Sequence, residues 1–280
     1  MFTRLSQEQI VHFMAHGYVA VPDFWNANEV GAMQAELERL KQDGLLRNVA
    51  TDGDGKTHSQ TMVNLQLCPM YNNSDFFRAM SFAPKVIATV SQLIGDPFLL
   101  HLDQVFLKPG GHGVGTNWHQ DNAYFKISDP MKGVALWTAV HAATTANGTM
   151  NVIPDSAHEA LEHNRDPYSD HHIRCYPDES RAVSVELPAG GALFFAYGVP
   201  HCTRANSTDH ERAGMAMHFL RADYAQSKLI HADRDTRPYV TGPQASGGLR
   251  EYGVTVSGTW DNPVDRLLHG TQADKLGIRV

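Results

Sequence analysis

Phe98-Leu99-Leu100-His101-Leu102-Asp103-Gln104-Val105-Phe106-Leu107 opens the change in texture that decides the fold. From Pro97 onward, short apolar or β-branched runs alternate with Gly, Pro, Asn and Asp turns, at 98–107, 133–141, 149–153, 183–187, 192–197 and 213–220. Runs of this length between turn residues make the antiparallel strands of a sandwich or barrel. Upstream of Pro97 the period is helical. Ser6 and Gln9 have capping-box spacing, and Ile10, Phe13 and Met14 follow at helical intervals up to Gly17. Tyr18-Val19-Ala20-Val21 reads as a strand ended by Pro22. Asn26 and Glu29 cap a second helix, in which Val30, Met33, Leu37 and Leu40 recur at three and four before Gly44. Two more helices are expected at 75–80 and 84–94, the latter stopping at Gly95. Helices first and strands after predict an α+β, mainly β fold with the helices packed outside the sheet.

Three stretches stand outside that pattern. Residues 48–56 are polar and Gly-containing, so they read as a loop, and 242–248 is a Gly/Ser-containing loop without chemical signal. Residues 155–181 form a long polar connection between strands and carry His158, His163, His171 and His172. A connection of that length is either a lid over a site or a solvated surface loop.

Composition narrows the function classes. A chain of 280 residues with 42% hydrophobic and 19% charged residues has ample material for a core. Its net charge of −7, without a basic run, argues against nucleic acid and anionic membrane surfaces as partners. The start, Met1-Phe2-Thr3-Arg4-Leu5-Ser6, leads straight into polar helical sequence, and no window is apolar enough to cross a bilayer. Three widely spaced cysteines (Cys68, Cys175 and Cys202) fit free thiols in a reducing compartment. The expectation is a cytoplasmic protein, monomer or homodimer, acting on a small molecule. Cys202 adjoins His201, but adjacent strand residues face opposite ways, so Cys202 is expected to point away from any metal there.

The chemistry is carried by His119-Gln120-Asp121, then His201 82 residues after His119, then Arg212 11 residues further. His119 and Asp121 are two apart, so on a strand or extended loop their side chains leave one face. His201 follows the turn Leu187-Pro188-Ala189-Gly190-Gly191 and the strand at 192–197, with Gly198-Val199-Pro200 delivering it. Two imidazoles and a carboxylate on one octahedral face suit Fe(II) and leave positions for a chelating co-substrate and O2; without thiolate they do not suit a structural zinc site. Arg212 then offers a planar positive fork to a carboxylate of that co-substrate. Any one of these residues alone would more often be a surface histidine or a salt-bridge arginine; their joint order is what speaks for a metal.

The block Asn117-Trp118-His119-Gln120-Asp121, then Leu136-Trp137, then Asn147-Gly148-Thr149-Met150-Asn151-Val152-Ile153-Pro154-Asp155-Ser156-Ala157-His158, resembles the phytanoyl-CoA dioxygenase family, and His201 with Arg212 completes the likeness. The resemblance implies a double-stranded β-helix, a jelly-roll or cupin-like barrel, in one domain over 1–280. Helical support would occupy 1–96, the jelly-roll core 97–225 with the 155–181 lid, and a C-terminal extension 226–280. It implies an Fe(II)- and 2-oxoglutarate-dependent dioxygenase, a hydroxylase consuming O2 and releasing succinate and CO2. His119, Asp121 and His201 would hold the metal and Arg212 the far carboxylate of 2-oxoglutarate. Trp137 and Gln104 would line that pocket, and Asn64 would contribute from the segment before the third helix. Gly214 departs from the pattern, because several relatives carry a Ser or Thr hydroxyl two residues after the arginine.

The substrate is the least legible part. Residues 155–181 hold seven acidic side chains against three arginines, which favours a small polar or zwitterionic molecule over a CoA ester. Arg165, Arg174 and Lys126 are candidates for an anionic group. Competing readings are a non-catalytic jelly-roll binding module, a zinc hydrolase built on the same three residues, and a dioxygenase acting on a protein side chain.

Overall fold

The computed structural model describes residues 4–225 and 237–270. Helix α1 (Gln7–His16) begins at a capping box in which Ser6 accepts from the Gln9 amide and Gln9 from the Ser6 amide. It ends at Gly17, whose φ of 79° is a left-handed conformation that favours glycine. Strand β1 (Tyr18–Val21) leads to α2 (Ala27–Gln42), capped reciprocally by Asn26 and Glu29. Strands β2 (Arg47–Asn48) and β3 (Leu65–Leu67) flank the polar loop, and α3 (Asp75–Met80) and α4 (Pro84–Ile94) follow as expected.

The remaining strands are β4 (Phe98–Lys108), β5 (Gly133–Ala139), β6 (Met150–Val152), β7 (Asn164–Arg165), β8 (Ile173–Arg174), β9 (Val183–Val185), β10 (Ala192–Ala196), β11 (His201–Thr203) and β12 (Arg212–Arg221). Three helices complete the described chain: α5 (Asp121–Phe125), α6 (Leu249–Tyr252) and α7 (Asp261–His269). Seven strands form one antiparallel sheet in the order β1-β10-β5-β12-β4-β3-β2, and β11-β6-β9 form a second. The jelly roll is therefore as expected, with β4, β12 and β5 at the middle of the larger sheet.

The core runs between that sheet and the helices. Phe24 and Trp25 pack edge to face, Phe24 meets Phe194 of β10, and Trp25 meets Trp260. Glu29 is buried here, paired with Lys85 at 2.6 Å and accepting from the Trp260 indole at 2.7 Å. The segment after Arg237 thus returns to brace α2. Of the 226–280 extension, residues 226–236 and 271–280 lie outside the described residues.

Two expectations need correction. Asp121 does not sit on a strand or extended loop; it is the first residue of α5. Residues 155–181 are not an irregular connection throughout. They contain the β7-β8 ribbon and are tied by backbone to the loop after β2: Thr51 donates to the Tyr168 carbonyl, Gly55 to Pro167 and Asp170 to Val49. Arg47 and Asp170 add an ion pair across the same seam. The segment forms one wall of the site described below.

Candidate metal centre

His119 and His201 are brought together by the backbone. The His119 amide donates to the His201 carbonyl at 3.0 Å and the His201 amide to His119 at 2.9 Å. Such a reciprocal antiparallel pair sends both side chains to one face, and the two rings lie 4.2 Å apart between centroids. The chain then turns into α5, whose Asn122 amide donates to the Tyr197 carbonyl at 2.8 Å. This swings Asp121 back toward the pair. Its Oδ1 is 3.9 Å from His119 Nε2 and 3.8 Å from His201 Nε2. Ligands at right angles around a metal with bonds of about 2.1 Å would sit about 3 Å apart, so a small inward movement completes a face.

The tautomers are set for that purpose. His119 Nδ1 lies 2.8 Å from the Asn117 carbonyl and His201 Nδ1 3.0 Å from the Val199 carbonyl. A carbonyl only accepts, so each Nδ1 carries the proton and each Nε2 presents a lone pair inward. Among the described residues, His119, Asp121 and His201 form the one group of this kind that can hold a metal ion. Burial pushes the His119 imidazole down to about 3, and it lowers His201 as well. Burial alone would raise the Asp121 carboxyl, but neighbouring His218 and His201 outweigh it and hold Asp121 below the ordinary carboxylate range. Two neutral imidazoles and one carboxylate, whose Oδ1 faces both Nε2 atoms, fit a divalent cation.

The depressed imidazoles also govern acid stability. His119, His201 and His172 are all lowered chiefly by burial. As pH falls below about 6.5 the unfolded chain takes up protons that the native state refuses. Stability then drops by about 1.4 kcal/mol per pH unit for each such group. Asp103, raised by burial to about 7, opposes them, because its native carboxyl keeps a proton that the unfolded chain loses above about 3.8. Three groups outweigh one. The metal-free protein is expected to melt at a lower temperature at pH 5 than at pH 7, as followed by circular dichroism; equal or higher melting at pH 5 would contradict this balance.

The inner cavity beside the triad is lined by Gln104, Trp137, Thr203 and Arg212 together with the three residues themselves. Arg212 is 1% exposed, and its polar partners among the described residues are the Gly148 and Asn147 carbonyls. Burial lowers its guanidinium to about 10, which still leaves it charged at neutral pH. Trp137 lies with its ring centroid 5.7 Å from the Arg212 Cζ. Gln104, Ala216 and Trp137 stand in one cross-strand row, and Gln66 donates to Gln104 at 2.9 Å. Asn64 is not part of this lining; it is buried behind it, 3.5 Å from the Thr116 hydroxyl. Cys202 borders the cavity, but its thiol packs with Trp118, Ile153 and Cys175 and is not in the ligand group, in line with the expectation that it faces away from the metal.

Gly214 has a steric explanation. A Cβ there would stand 2.4 Å from Trp137 Cζ2 and 2.6 Å from its Nε1, so the indole occupies the space of the missing side chain. Gly214→Ser is expected to destabilise the fold by about 1–3 kcal/mol through overpacking. A lowered melting temperature with altered tryptophan fluorescence would show it, and wild-type values for both would refute it.

Sequence reasoning missed two residues. Gln120, between the two ligand candidates, is buried and bridges the wall to the β10–β11 turn: its Nε2 donates to the Glu159 and Gly198 carbonyls at 2.6 and 2.5 Å. His218 of β12 sits 3.2 Å from Asp121 Oδ2. Its signal was the alternation Arg212, Gly214, Ala216, His218 along one face of an otherwise apolar strand.

On its open side the triad faces a cleft of about 400 Å³, bordered by Arg47, His101, Tyr124, His171, His172 and Arg237. The wall supplies two of these, and His172 stacks near-parallel to His119 with centroids 6.2 Å apart.

Comparison with known proteins agrees with the geometry. The family described as "Phytanoyl-CoA dioxygenase (PhyH)" matches residues 13–214. An ectoine dioxygenase of Halomonas elongata is 25% identical over 251 residues, covering 80% of this chain and 74% of that protein. The peroxisomal phytanoyl-CoA dioxygenase of Rattus norvegicus is 23% identical over 236 residues, covering 78% and 69%. Among solved structures, SnoK, a non-heme alpha-ketoglutarate-dependent carbocyclase from nogalamycin biosynthesis, aligns with a TM-score of 0.66 at 21% identity over 78% of this chain and 85% of its own. EctD from S. alaskensis, with 2-oxoglutarate and 5-hydroxyectoine, aligns at 0.64 and 19% over 88% and 86%. No helix among the described residues is long and apolar enough to cross a membrane.

Proposed function

Because the chain belongs to the phytanoyl-CoA dioxygenase family and is an Fe(II)- and 2-oxoglutarate-dependent dioxygenase, we propose that His119, Asp121 and His201 hold the iron and that the 400 Å³ cleft takes a small polar molecule for C–H hydroxylation. The observation that carries this reading is the convergence of two imidazoles, each with Nε2 free, and one buried carboxylate beside a buried guanidinium with no carboxylate of its own among the described residues. When bound, iron supplies the oxidative decarboxylation of 2-oxoglutarate to succinate and CO2 and the oxidation of the substrate C–H bond.

The chain's own groups orient and enclose. Arg212 fixes the far carboxylate of 2-oxoglutarate by a charge-assisted fork, with Trp137 as one wall. Thr203 fills the role that Gly214 lacks: its Oγ accepts from the Thr116 amide at 3.0 Å, which leaves the hydroxyl proton to donate into the cavity. Gln104 borders both the inner cavity and the outer cleft, so it stands where co-substrate and substrate meet. Asn64 supports Thr116 from behind. The wall at 155–181 sets the His172 ring near-parallel to His119, covering part of that side of the site.

Among the described residues, the outer cleft has Arg47 and Arg237 on its border and Asp121 as its sole carboxylate. A substrate rich in hydrogen-bond acceptors suits it better than a CoA ester, whose nucleotide would have to lie outside. A single oxygenase domain over 1–280 belongs to the same proposal, since α7 packs on α2 and α3. The test is anaerobic addition of Fe(II) and 2-oxoglutarate, which should give a visible charge-transfer band, followed by a small-molecule screen scored by succinate release. A protein that takes up Fe(II) but shows no band with 2-oxoglutarate would refute the oxygenase assignment of these residues.

A further inference from the structure

We propose that His218 is a positioning residue for Asp121, holding the carboxylate so that one oxygen faces the iron and the other is turned away from it. The inference rests on the metal reading above. Three observations carry it. His218 is 3% exposed and its Nε2 lies 3.2 Å from Asp121 Oδ2, while Oδ1 of the same carboxylate faces His119 and His201. His218 Nδ1 is buried and has no partner among the described residues. A carboxylate only accepts, so an Nε2 proton faces Oδ2 at 3.2 Å, and a small turn of the ring would straighten that contact into a hydrogen bond.

The fold aims the ring. The β12–β4 register shifts between His218 and Phe219, an irregularity that re-aims a side chain relative to its strand. Phe125 lies edge-on to the imidazole with centroids 5.7 Å apart, and Tyr197 lies 6.0 Å away, so neighbouring aromatic rings confine it. His218 is not itself in the ligand group, and it faces the oxygen that points away from the other two histidines.

The consequence concerns coordination number. A carboxylate bound through one oxygen takes one position, and the other positions stay available to 2-oxoglutarate and O2. Without a donor at Oδ2 the carboxylate is free to rotate, and the ligand face loses its preorganisation.

The experiment uses the full-length protein and Co(II), which binds the same donors without reacting with O2, in an equilibrium titration. His218→Leu is expected to weaken Co(II) binding about 10-fold or more. His218→Gln, whose amide reaches the Nε2 position, should stay within about threefold of wild type, whereas His218→Asn, which reaches only the Nδ1 position, should behave like leucine. The two amides differ by one methylene and are both polar, so their comparison decides the matter even if the leucine variant does not fold. Equal affinities for the glutamine and asparagine variants, with both melting like wild type, would overturn the role. Wild-type protein that takes up no Co(II) would remove the metal reading itself, and the positioning role with it.

Discussion

His119→Ala is expected to abolish stoichiometric Fe(II) binding and, with it, all succinate formation. The substitution removes one of three donors, and two cannot close an octahedral face around a metal whose remaining positions are occupied by exchangeable molecules. The fold should survive, because the contact that joins residue 119 to residue 201 is a pair of backbone hydrogen bonds that alanine keeps. Loss of metal with unchanged circular dichroism is therefore the diagnostic pair. Anaerobic titration measures the first, and an alanine variant that still binds one equivalent of Fe(II) would exclude His119 from the ligand set.

Arg212→Ala should act on the co-substrate alone. Arg212 is buried at the start of β12 between Trp137 and the Gly148 carbonyl. Removing it would leave a 2-oxoglutarate carboxylate desolvated without a counter-charge. That costs about 3–5 kcal/mol, or roughly a hundred- to several-thousand-fold in affinity. The charge-transfer titration should show the weakening while Fe(II) affinity stays near wild type. Arg212→Lys should not rescue it, since an ammonium lacks the planar fork. Unchanged 2-oxoglutarate affinity in the alanine variant would take Arg212 out of the site.

Local chemistry made much of the fold legible. The reciprocal caps at Ser6 and Asn26, the glycine stops at Gly17 and Gly95, and the runs that become β4, β5, β10 and β12 all follow from patterns a few residues long. The three side chains of the candidate metal centre stood out for a different reason, as residue types in a fixed order. How they converge was not. His119 meets His201 through a backbone pairing across 82 residues, and Asp121 reaches them because a five-residue helix starts there. Neither leaves a periodic trace. How 155–181 is tied to the loop after β2 was not legible, because polar composition describes its outer face, while carbonyls and amides, which every residue carries, do the joining. Asn64 was placed one layer too far inward for the same reason: a buried amide near a site and a buried amide in it look alike in sequence.

The close approach of the Trp137 indole to Gly214 restricts how this site can change over descent. A lineage that gained a hydroxyl at 214 before trimming the ring would pass through an overfilled, destabilised intermediate, so the order in which the ring shrinks first is the easier one. The two positions should therefore behave as a single inherited unit. A Trp137→Phe background should tolerate Gly214→Ser with much less loss than the wild-type background does.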